Sequence, residues 1–298
     1  MPLPGWWYRI AGRGLLLALP LLPLLQGGCV RLQRLEKQTL YSQALQRRVP
    51  FAVYLPPGHE PGKYYPLVVF LHGGGDDYKA FERFGGVRFL DEAIGSGAVP
   101  PFIMVAPNGE MGFWMNYHDG TLRYEDHVIE EVIPWVEAHY PVIADREHRT
   151  IFGISMGAFG AMNLATRHAD LFSAVAALSG PMYDREEALA FTDSTWKKLL
   201  GIERVFGGED DLEFLVQNGP YEKIRLGRVD LGDMRILLLV GDQDRPGLLN
   251  NNRRLHDLLQ QRGIESELLV FEGRHKWVSW NPYLGRVLAF LLGRGESE

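Results

Sequence analysis

The chain has 298 residues, of which 46% are hydrophobic, and this suffices for one large α/β domain or for two small domains. Its formal net charge at pH 7 is −6, and it carries neither a basic block nor a stripe of basic and aromatic residues, which argues against nucleic acid as a partner. The single cysteine, Cys29, excludes an intrachain disulfide and a cysteine-rich metal site.

Residues 1–29 are predicted to be an export signal. Two arginines precede an apolar run, residues 15–25, which is short for a transmembrane helix and contains two prolines. Gln26, two glycines and Cys29 follow. This order resembles a bacterial lipoprotein signal, in which the cysteine is lipidated after cleavage, although Gln26 stands where such signals usually carry an apolar residue. We therefore expect an exported protein, periplasmic or at the cell surface, with Cys29 as either a lipid anchor or an incidental thiol.

Residues 30–38 are predicted to be a polar linker, and residues 39–295 one folded domain that opens with a hairpin. Buried strands then alternate with helices, which predicts a mostly parallel central sheet with helices on both faces, the α/β class. Residues 182–233 interrupt this alternation and are either a helical insertion near the site or a solvated connection. The predicted strands are 51–55, 66–71, 102–107, 149–152, 174–179, 235–240 and 267–271, and the predicted helices are 125–140, 158–168, 250–262 and 282–292.

Residues 153–157, Gly-Ile-Ser-Met-Gly, have the Gly-x-Ser-x-Gly pattern of a nucleophile elbow. In an elbow the serine lies on a tight turn between a strand and a helix, so its backbone is strained and its neighbours must be small. A predicted strand precedes this pattern and a predicted helix follows it, with the positive end of the helix directed at the serine. Ser155 is therefore the predicted nucleophile, and the alternative is an ordinary glycine-rich turn.

A serine hydroxyl needs a general base, usually histidine, and an acid that fixes the tautomer of the histidine. His275 and two aspartates follow the last two predicted strands, at the edge where ligands bind in open α/β sheets. His275 is the predicted base. Asp244 is the preferred acid because it lies three residues beyond the glycine that ends its strand. Asp242 is the other candidate and is expected instead to hydrogen-bond within its turn.

Residues 72–75, His-Gly-Gly-Gly, directly follow a predicted strand. Negative charge develops on the carbonyl oxygen during acyl transfer, and backbone N–H groups directed at that oxygen stabilise it. Glycines let the backbone approach closely. We expect one donor to be the N–H of Met156 and the other to be the N–H of Gly73 or Gly74. The alternative interpretation is a phosphate-binding loop, but the Lys-Ser/Thr pair that follows the glycines in such a loop is missing here.

Together these motifs resemble the esterase D-like branch of the α/β-hydrolases, which includes feruloyl and acetylxylan esterases, S-formylglutathione hydrolase, enterochelin esterase and the mycolyltransferases. The resemblance implies an α/β-hydrolase fold, a triad of Ser155, Asp244 and His275, and no metal or organic cofactor. Ala158 departs from the second glycine that many members carry. The resemblance extends from about residue 51 to 292, and the segments that carry it are 53–57, 65–73, 131–137, 153–157, 170–172, 178–180 and 275–277, with Trp280.

Other residues have less specific interpretations. His72 and Trp114 are candidate pocket residues, and the alternative for Trp114 is a packed loop aromatic. Trp277 and Trp280 are either core residues or substrate contacts. Four further residues have side chains that can bind metals, but their spacing fits no ligand pattern, so we interpret them as a solvated helix start. These four are Asp119, Glu125, Asp126 and His127.

The leading functional hypothesis is a serine carboxylester hydrolase that acts through an acyl-enzyme on a small-molecule or carbohydrate-linked ester. An acyltransferase would use the same residues to pass the acyl group to a sugar or a lipid. A non-catalytic surface binding protein is a third possibility, against which the chain order Ser, Asp, His argues, and a peptidase is less favoured. The sequence indicates neither the acyl group nor the alcohol nor the oligomeric state.

Overall fold

An eight-stranded sheet forms the centre of the protein in a computed structural model that describes residues 35–184, 186–187, 202–207 and 212–293. In chain order its strands are β1 (Leu35–Ser42), β2 (Arg47–Tyr54), β3 (Leu67–Leu71), β4 (Ile103–Ala106), β5 (Arg149–Ile154), β6 (Ala174–Leu178), β7 (Arg235–Gly241) and β8 (Ser266–Phe271). Their order across the sheet is β1-β2-β4-β3-β5-β6-β7-β8. β2 is antiparallel to both of its neighbours, and β4, β3 and β5 to β8 are parallel. The predicted mostly parallel sheet is therefore confirmed.

The hairpin of β1 and β2 is longer than the sequence indicated. Its register pairs Leu35 with Tyr54 and Ser42 with Arg47. Since β1 begins at Leu35, residues 35–38 belong to the sheet, and the prediction of a linker over 30–38 was wrong for these four residues. The exposure of the side chains alternates along β1 because it is an edge strand with one face against the protein.

The parallel strands are apolar at successive positions because helices cover both faces of the sheet. In β3, for example, Leu67, Val69 and Leu71 belong to the core on one face, and Val68 and Phe70 belong to the core on the other. The described helices are α1 (Ala80–Arg83), α2 (Gly86–Gly95), α3 (Tyr124–Asp126, His127–Val132 and Ile133–His139, the middle part wound as a π-helix), α4 (Met156–Arg167), α5 (Ile202–Phe206), α6 (Leu212–Asn218), α7 (Pro220–Arg225), α8 (Leu248–Gln261), α9 (Trp277–Trp280) and α10 (Leu284–Leu292).

The two faces carry different helices. α3, α4 and α8 contribute to the core on the first face, and α2, α9 and α10 contribute to the core on the second. Helices α1 and α2 were not predicted from the sequence. α4, which follows Ser155, is buried at nearly every position, because it lies against the sheet and is covered by α7.

The stretch 182–233 contains the three short helices α5, α6 and α7, but much of it lies outside the described residues. Its interpretation as a helical insertion therefore stays a prediction. Within the described ranges, no helix has the length and apolarity that a membrane span requires. The apolar run 15–25 and Cys29 lie outside those ranges, so lipidation of Cys29 also stays a prediction, which mass spectrometry of the mature N-terminus would test.

Candidate active site

Ser155 lies on the turn between β5 and α4 with the strained dihedrals expected of an elbow, φ 57° and ψ −119°. The glycines around it are required by close backbone contacts. A Cβ on Gly153 would lie 2.0 Å from the carbonyl oxygen of Gly157, and a Cβ on Gly157 would lie 2.0 Å from that of Leu71. Ala158, the next residue of the turn, is fully buried. The turn therefore holds the serine at the N-terminus of α4, next to the end of β3.

His275 connects Ser155 to Asp244. Its Nε2 lies 2.7 Å from the Oγ of Ser155, and its Nδ1 lies 2.7 Å from the Oδ1 of Asp244. The three residues follow the carboxyl ends of β5, β7 and β8, so the register of the parallel strands brings them together. The Asp244 side chain is 1% exposed and that of His275 is 11% exposed, which leaves a path for solvent or a ligand on the histidine side. In this geometry the imidazole can accept the proton of the serine hydroxyl.

Asp244 is held as an ionised carboxylate. Burial alone would raise its pKa, but hydrogen bonds from His275, Ser179 and the backbone N–H of Arg245 outweigh burial and lower the pKa below its ordinary value. The Arg245 N–H lies 2.7 Å from Oδ1, the oxygen that also faces His275. The carboxylate is thus available near neutral pH to fix the orientation and tautomer of the imidazole.

Asp242 lies elsewhere. It is exposed, and its Oδ1 accepts a hydrogen bond of 3.0 Å from the N–H of Gly273. This contact connects the loops after β7 and β8, whereas the sequence predicted a hydrogen bond within the turn of Asp242 itself. Of the two candidate acids, the structure therefore brings Asp244, and not Asp242, to the histidine.

The glycines after β3 pass directly beside Ser155. A Cβ on Gly73 would lie 3.4 Å from the Cβ of Ser155, and a Cβ on Gly74 would lie 3.4 Å from the side chain of Met111. Met156 is the first residue of α4, so its N–H has no partner within the helix. The N–H groups predicted to bind an oxyanion thus belong to segments that flank the serine, and the choice between Gly73 and Gly74 stays open.

His72 and Trp114 are buried, 1% and 0% exposed, so the prediction that they line a substrate pocket was wrong. The Nε2 of His72 accepts a hydrogen bond of 2.9 Å from the N–H of Gly109, which leaves Nδ1 to donate to the Gly73 carbonyl at 2.9 Å. Burial lowers the pKa of His72 and keeps the imidazole neutral. The indole of Trp114 donates to the His72 carbonyl. Both side chains therefore hold the glycine loop in place through hydrogen bonds to its backbone carbonyls.

The four residues with metal-binding side chains make protein contacts. Glu125 and His127 are buried, which corrects their interpretation as part of a solvated helix start. One oxygen of Glu125 pairs with Arg167 and His168, and His127 pairs with Glu131. In the part of the chain that is described, no group of three or more His, Cys, Asp or Glu side chains is arranged to hold a metal ion.

Sequence analysis did not predict two hydrogen bonds that support the acid, one made to it by Ser179 and one made to Ser179 by Trp280. Ser179 follows β6 and donates a hydrogen bond of 2.5 Å to the Oδ2 of Asp244, and Trp280 in α9 donates one of 2.9 Å to the Ser179 hydroxyl. Both residues stood in the motifs that carried the family resemblance, but nothing in the sequence showed that they meet.

With this geometry established, comparisons with known proteins identify the family. The model of a family described as "Putative esterase" matches residues 42–291. The chain belongs to this esterase family. Its eight-stranded sheet and surrounding helices have the α/β-hydrolase fold, and the resemblance inferred from the sequence motifs is confirmed.

The individual known proteins that resemble this chain are distantly similar to it in sequence. Esterase Rv1288 of Mycobacterium tuberculosis is 28% identical over 248 residues, which are 75% of this chain and 51% of that protein, so the chain spans about half the length of this relative. An acetyl esterase of Caldicellulosiruptor saccharolyticus is 23% identical, over 84% of this chain and 95% of that protein. The solved structure of a ferulic acid esterase superposes with a TM-score of 0.73 and 26% identity, over 87% of this chain and 97% of that one.

Proposed function

We propose that this chain is a serine carboxylester hydrolase that works through an acyl-enzyme. The observation that carries the proposal is the path of two 2.7 Å contacts from the Ser155 hydroxyl through His275 to the ionised Asp244. A serine on a strained elbow, a histidine against its hydroxyl and a buried carboxylate behind the histidine are the parts that activate a serine for attack. Membership of an esterase family supports the same chemistry.

In the proposed first half-reaction, the Oγ of Ser155 attacks the ester carbonyl while its proton passes to the Nε2 of His275. Asp244 stabilises the resulting imidazolium through Nδ1. The N–H of Met156 and that of Gly73 or Gly74 stabilise the oxyanion of the tetrahedral intermediate. When the intermediate collapses, the C–O bond to the alcohol breaks and His275 returns the proton to the leaving oxygen.

In the second half-reaction, His275 takes a proton from a water molecule, whose oxygen attacks the acyl-serine. A second tetrahedral intermediate forms at the same N–H groups, and its collapse breaks the bond between the acyl carbon and the Oγ of Ser155 and releases the carboxylic acid. The proton on His275 then returns to the Oγ of Ser155, which restores the free enzyme. The steps use only residues of this chain and water.

The proposed substrates are small-molecule or carbohydrate-linked esters. The acetyl esterase and the ferulic acid esterase among the similar proteins support this class, and they bracket a small and an aromatic acyl group. We therefore propose an assay with p-nitrophenyl acetate, butyrate and octanoate together with methyl ferulate. The ester with the highest kcat/KM would indicate the size of the acyl pocket.

Ser155→Ala, assayed in parallel, tests the proposal. We expect turnover to fall by a factor on the order of 10⁵–10⁶, because serine and histidine act as a unit. Thermal unfolding must show that the variant is folded, and a fluorophosphonate probe must label the wild type but not the variant. Undiminished turnover in the variant would refute the proposed nucleophile, and a folded wild type that neither hydrolyses an ester nor reacts with the probe would favour a binding protein.

A further inference from the structure

Four neighbouring parallel strands each deliver a residue to the same edge of the sheet. Besides Ser155, Asp244 and His275, which follow β5, β7 and β8, this edge contains Ser179 at the end of β6. Ser179 is fully buried and adopts φ 55°, a left-handed conformation that is unusual for a residue with a side chain. Its N–H donates to the Leu239 carbonyl at 2.7 Å, which continues the ladder between β6 and β7 and fixes the strained residue in place.

The direction of the Ser179 hydroxyl is determined by its two partners. The indole N–H of Trp280 can only donate, so it must occupy a lone pair of the Ser179 oxygen, 2.9 Å away. An ionised carboxylate can only accept, so the hydroxyl proton must lie towards the Oδ2 of Asp244, 2.5 Å away. The indole thus directs the hydroxyl proton at the carboxylate.

The contacts among Asp244, Ser179, Trp280 and His275 form a closed circuit. Oδ1 of Asp244 faces His275 and the Arg245 N–H, and Oδ2 faces Ser179. The ring of Trp280 lies edge-on to the imidazole of His275, with centroids 5.0 Å apart and planes at 83°. Because α9 begins two residues after His275, one short segment supplies both the histidine and the tryptophan.

We propose that Ser179 and Trp280 are positioning residues, which hold the Asp244 carboxylate in the orientation that keeps His275 against Ser155. This inference deepens the proposed esterase function and rests on it for its kinetic consequences. Without the Ser179 hydroxyl, one oxygen of the buried carboxylate loses its donor, and the carboxylate is free to rotate away from the imidazole. Since a hydrogen bond to a charged group is worth about 1.5–3 kcal/mol, we expect kcat to fall roughly ten- to a hundredfold while KM changes little.

Ser179→Ala and Ser179→Gly separate the hydroxyl from the backbone. Both variants remove the hydroxyl, but glycine adopts φ 55° without strain. We expect the same loss of kcat in both, whereas a purely conformational role would leave the glycine variant as active as the wild type. Ser173→Ala is the matched control, because Ser173 is a buried serine at the other end of β6 whose hydroxyl donates to the Glu147 carbonyl instead. It should keep the kcat of the wild type.

Trp280→Phe tests the second half of the proposal. It retains an aromatic edge against His275 and removes the N–H that directs the hydroxyl. We expect a smaller loss of kcat than in Ser179→Gly, and no further loss when the two substitutions are combined. A full and additive loss from Trp280→Phe would show that the indole acts on its own, which would overturn the coupling.

A spectroscopic arm does not depend on turnover. A proton in a short hydrogen bond between imidazole and carboxylate gives a far-downfield NMR resonance, which Asp244→Asn would assign by removing it. We expect this resonance to shift or broaden in Ser179→Gly and to be unchanged in Ser173→Ala. An unchanged resonance and unchanged kcat in Ser179→Gly would overturn the inference. Failure of the wild type to hydrolyse esters would instead count against the proposed function, and the resonance would still decide the positioning role.

Discussion

Two histidine–carboxylate pairs in this protein have nearly the same hydrogen-bond length and very different surroundings. His275 lies 2.7 Å from Asp244, and His127 lies 2.8 Å from Glu131, both through Nδ1. The Nε2 of His275 faces the Ser155 hydroxyl, but the buried Nε2 of His127 has no hydrogen-bond partner among the described residues. The comparison shows that such a pair is a candidate for catalysis only where a group that can give up a proton lies at the second nitrogen.

The pairs also differ in how the chain makes them. His127 and Glu131 are one turn apart on α3, so their contact is local. The other oxygen of Glu131 accepts the N–H of Ala44 at 2.8 Å, which fastens the turn between β1 and β2 to the helix. Asp244 and His275 are 31 residues apart and meet only because β7 and β8 lie in register. The local pair of His127 and Glu131 stabilises the fold, whereas the non-local pair of Asp244 and His275 forms only once the fold has brought the two residues together.

Exchanging the histidine of each pair for glutamine is the sharpest test of this contrast. His275→Gln removes the base, and we expect kcat to fall by a factor on the order of 10⁵–10⁶. His127→Gln should leave kcat per folded molecule unchanged and lower the stability instead, because only a structural hydrogen bond is weakened. Steady-state kinetics and urea unfolding of both variants check the pattern. Loss of kcat in a folded His127→Gln protein would break the distinction.

Replacing the acid gives the next largest effect. We expect Asp244→Asn to lower kcat by about 10⁴, because an amide favours the wrong imidazole tautomer. Asp242→Asn is the matched control, two residues away on the same loop, and should lose less than a factor of about three. If Asp242→Asn proved to be the inactive variant, the assignment of the acid would have to be reversed.

Glu131→Gln tests the role of the local pair as a brace. The amide keeps the size of the side chain but cannot accept from all of its donors, which include the Ala44 N–H and His127. We expect the free energy of unfolding to fall by about 1–3 kcal/mol, with kcat unchanged. Glu130→Gln serves as control, because Glu130 is the neighbouring glutamate on the helix and stays outside the pair. Equal losses of stability in the two variants would contradict the brace.

Much of the fold and of the candidate site followed from local patterns. The glycines around Ser155 predict an elbow because only residues without a side chain fit there, since a Cβ on Gly153 or on Gly157 would lie 2.0 Å from a backbone carbonyl oxygen. The apolar strands predict a buried parallel sheet, and the carboxyl ends of its strands indicate where Asp244 and His275 lie. These inferences needed only periodicity, residue size and chain order.

The features that the sequence did not predict correctly depend on tertiary contacts. Trp114 was a candidate pocket residue because it lies in an aromatic loop after a strand end, but the loop doubles back through positive φ at Glu110, Phe113 and Trp114 and buries the indole. No glycine stands at these positions to signal the bend. Likewise, Ser179 meets Asp244 across 65 residues of chain, a contact that no spacing rule predicts.

The smallest expected effect is the response of stability to acid pH, and it concerns the local pair of His127 and Glu131. Burial lowers the pKa of His127, so below the unfolded-state value of about 6.5 the unfolded chain binds a proton that the folded protein does not. The contribution of His127 to stability is therefore complete above that pH and is lost as the pH falls towards the lower folded-state pKa.

In His127→Gln, which cannot titrate, the free energy of unfolding should fall less steeply on acidification than in the wild type, by up to about 1.4 kcal/mol per pH unit. Urea unfolding at pH 7.5, 6.5 and 5.5 measures the slopes. Some slope must remain in the variant, because burial lowers the pKa of His72 in the same direction. Identical slopes in the variant and the wild type would mean that His127 is protonated as readily in the folded protein as in the unfolded chain. In that case its buried and unpartnered Nε2 would have to find an acceptor, and the contrast with His275 would lose its structural basis.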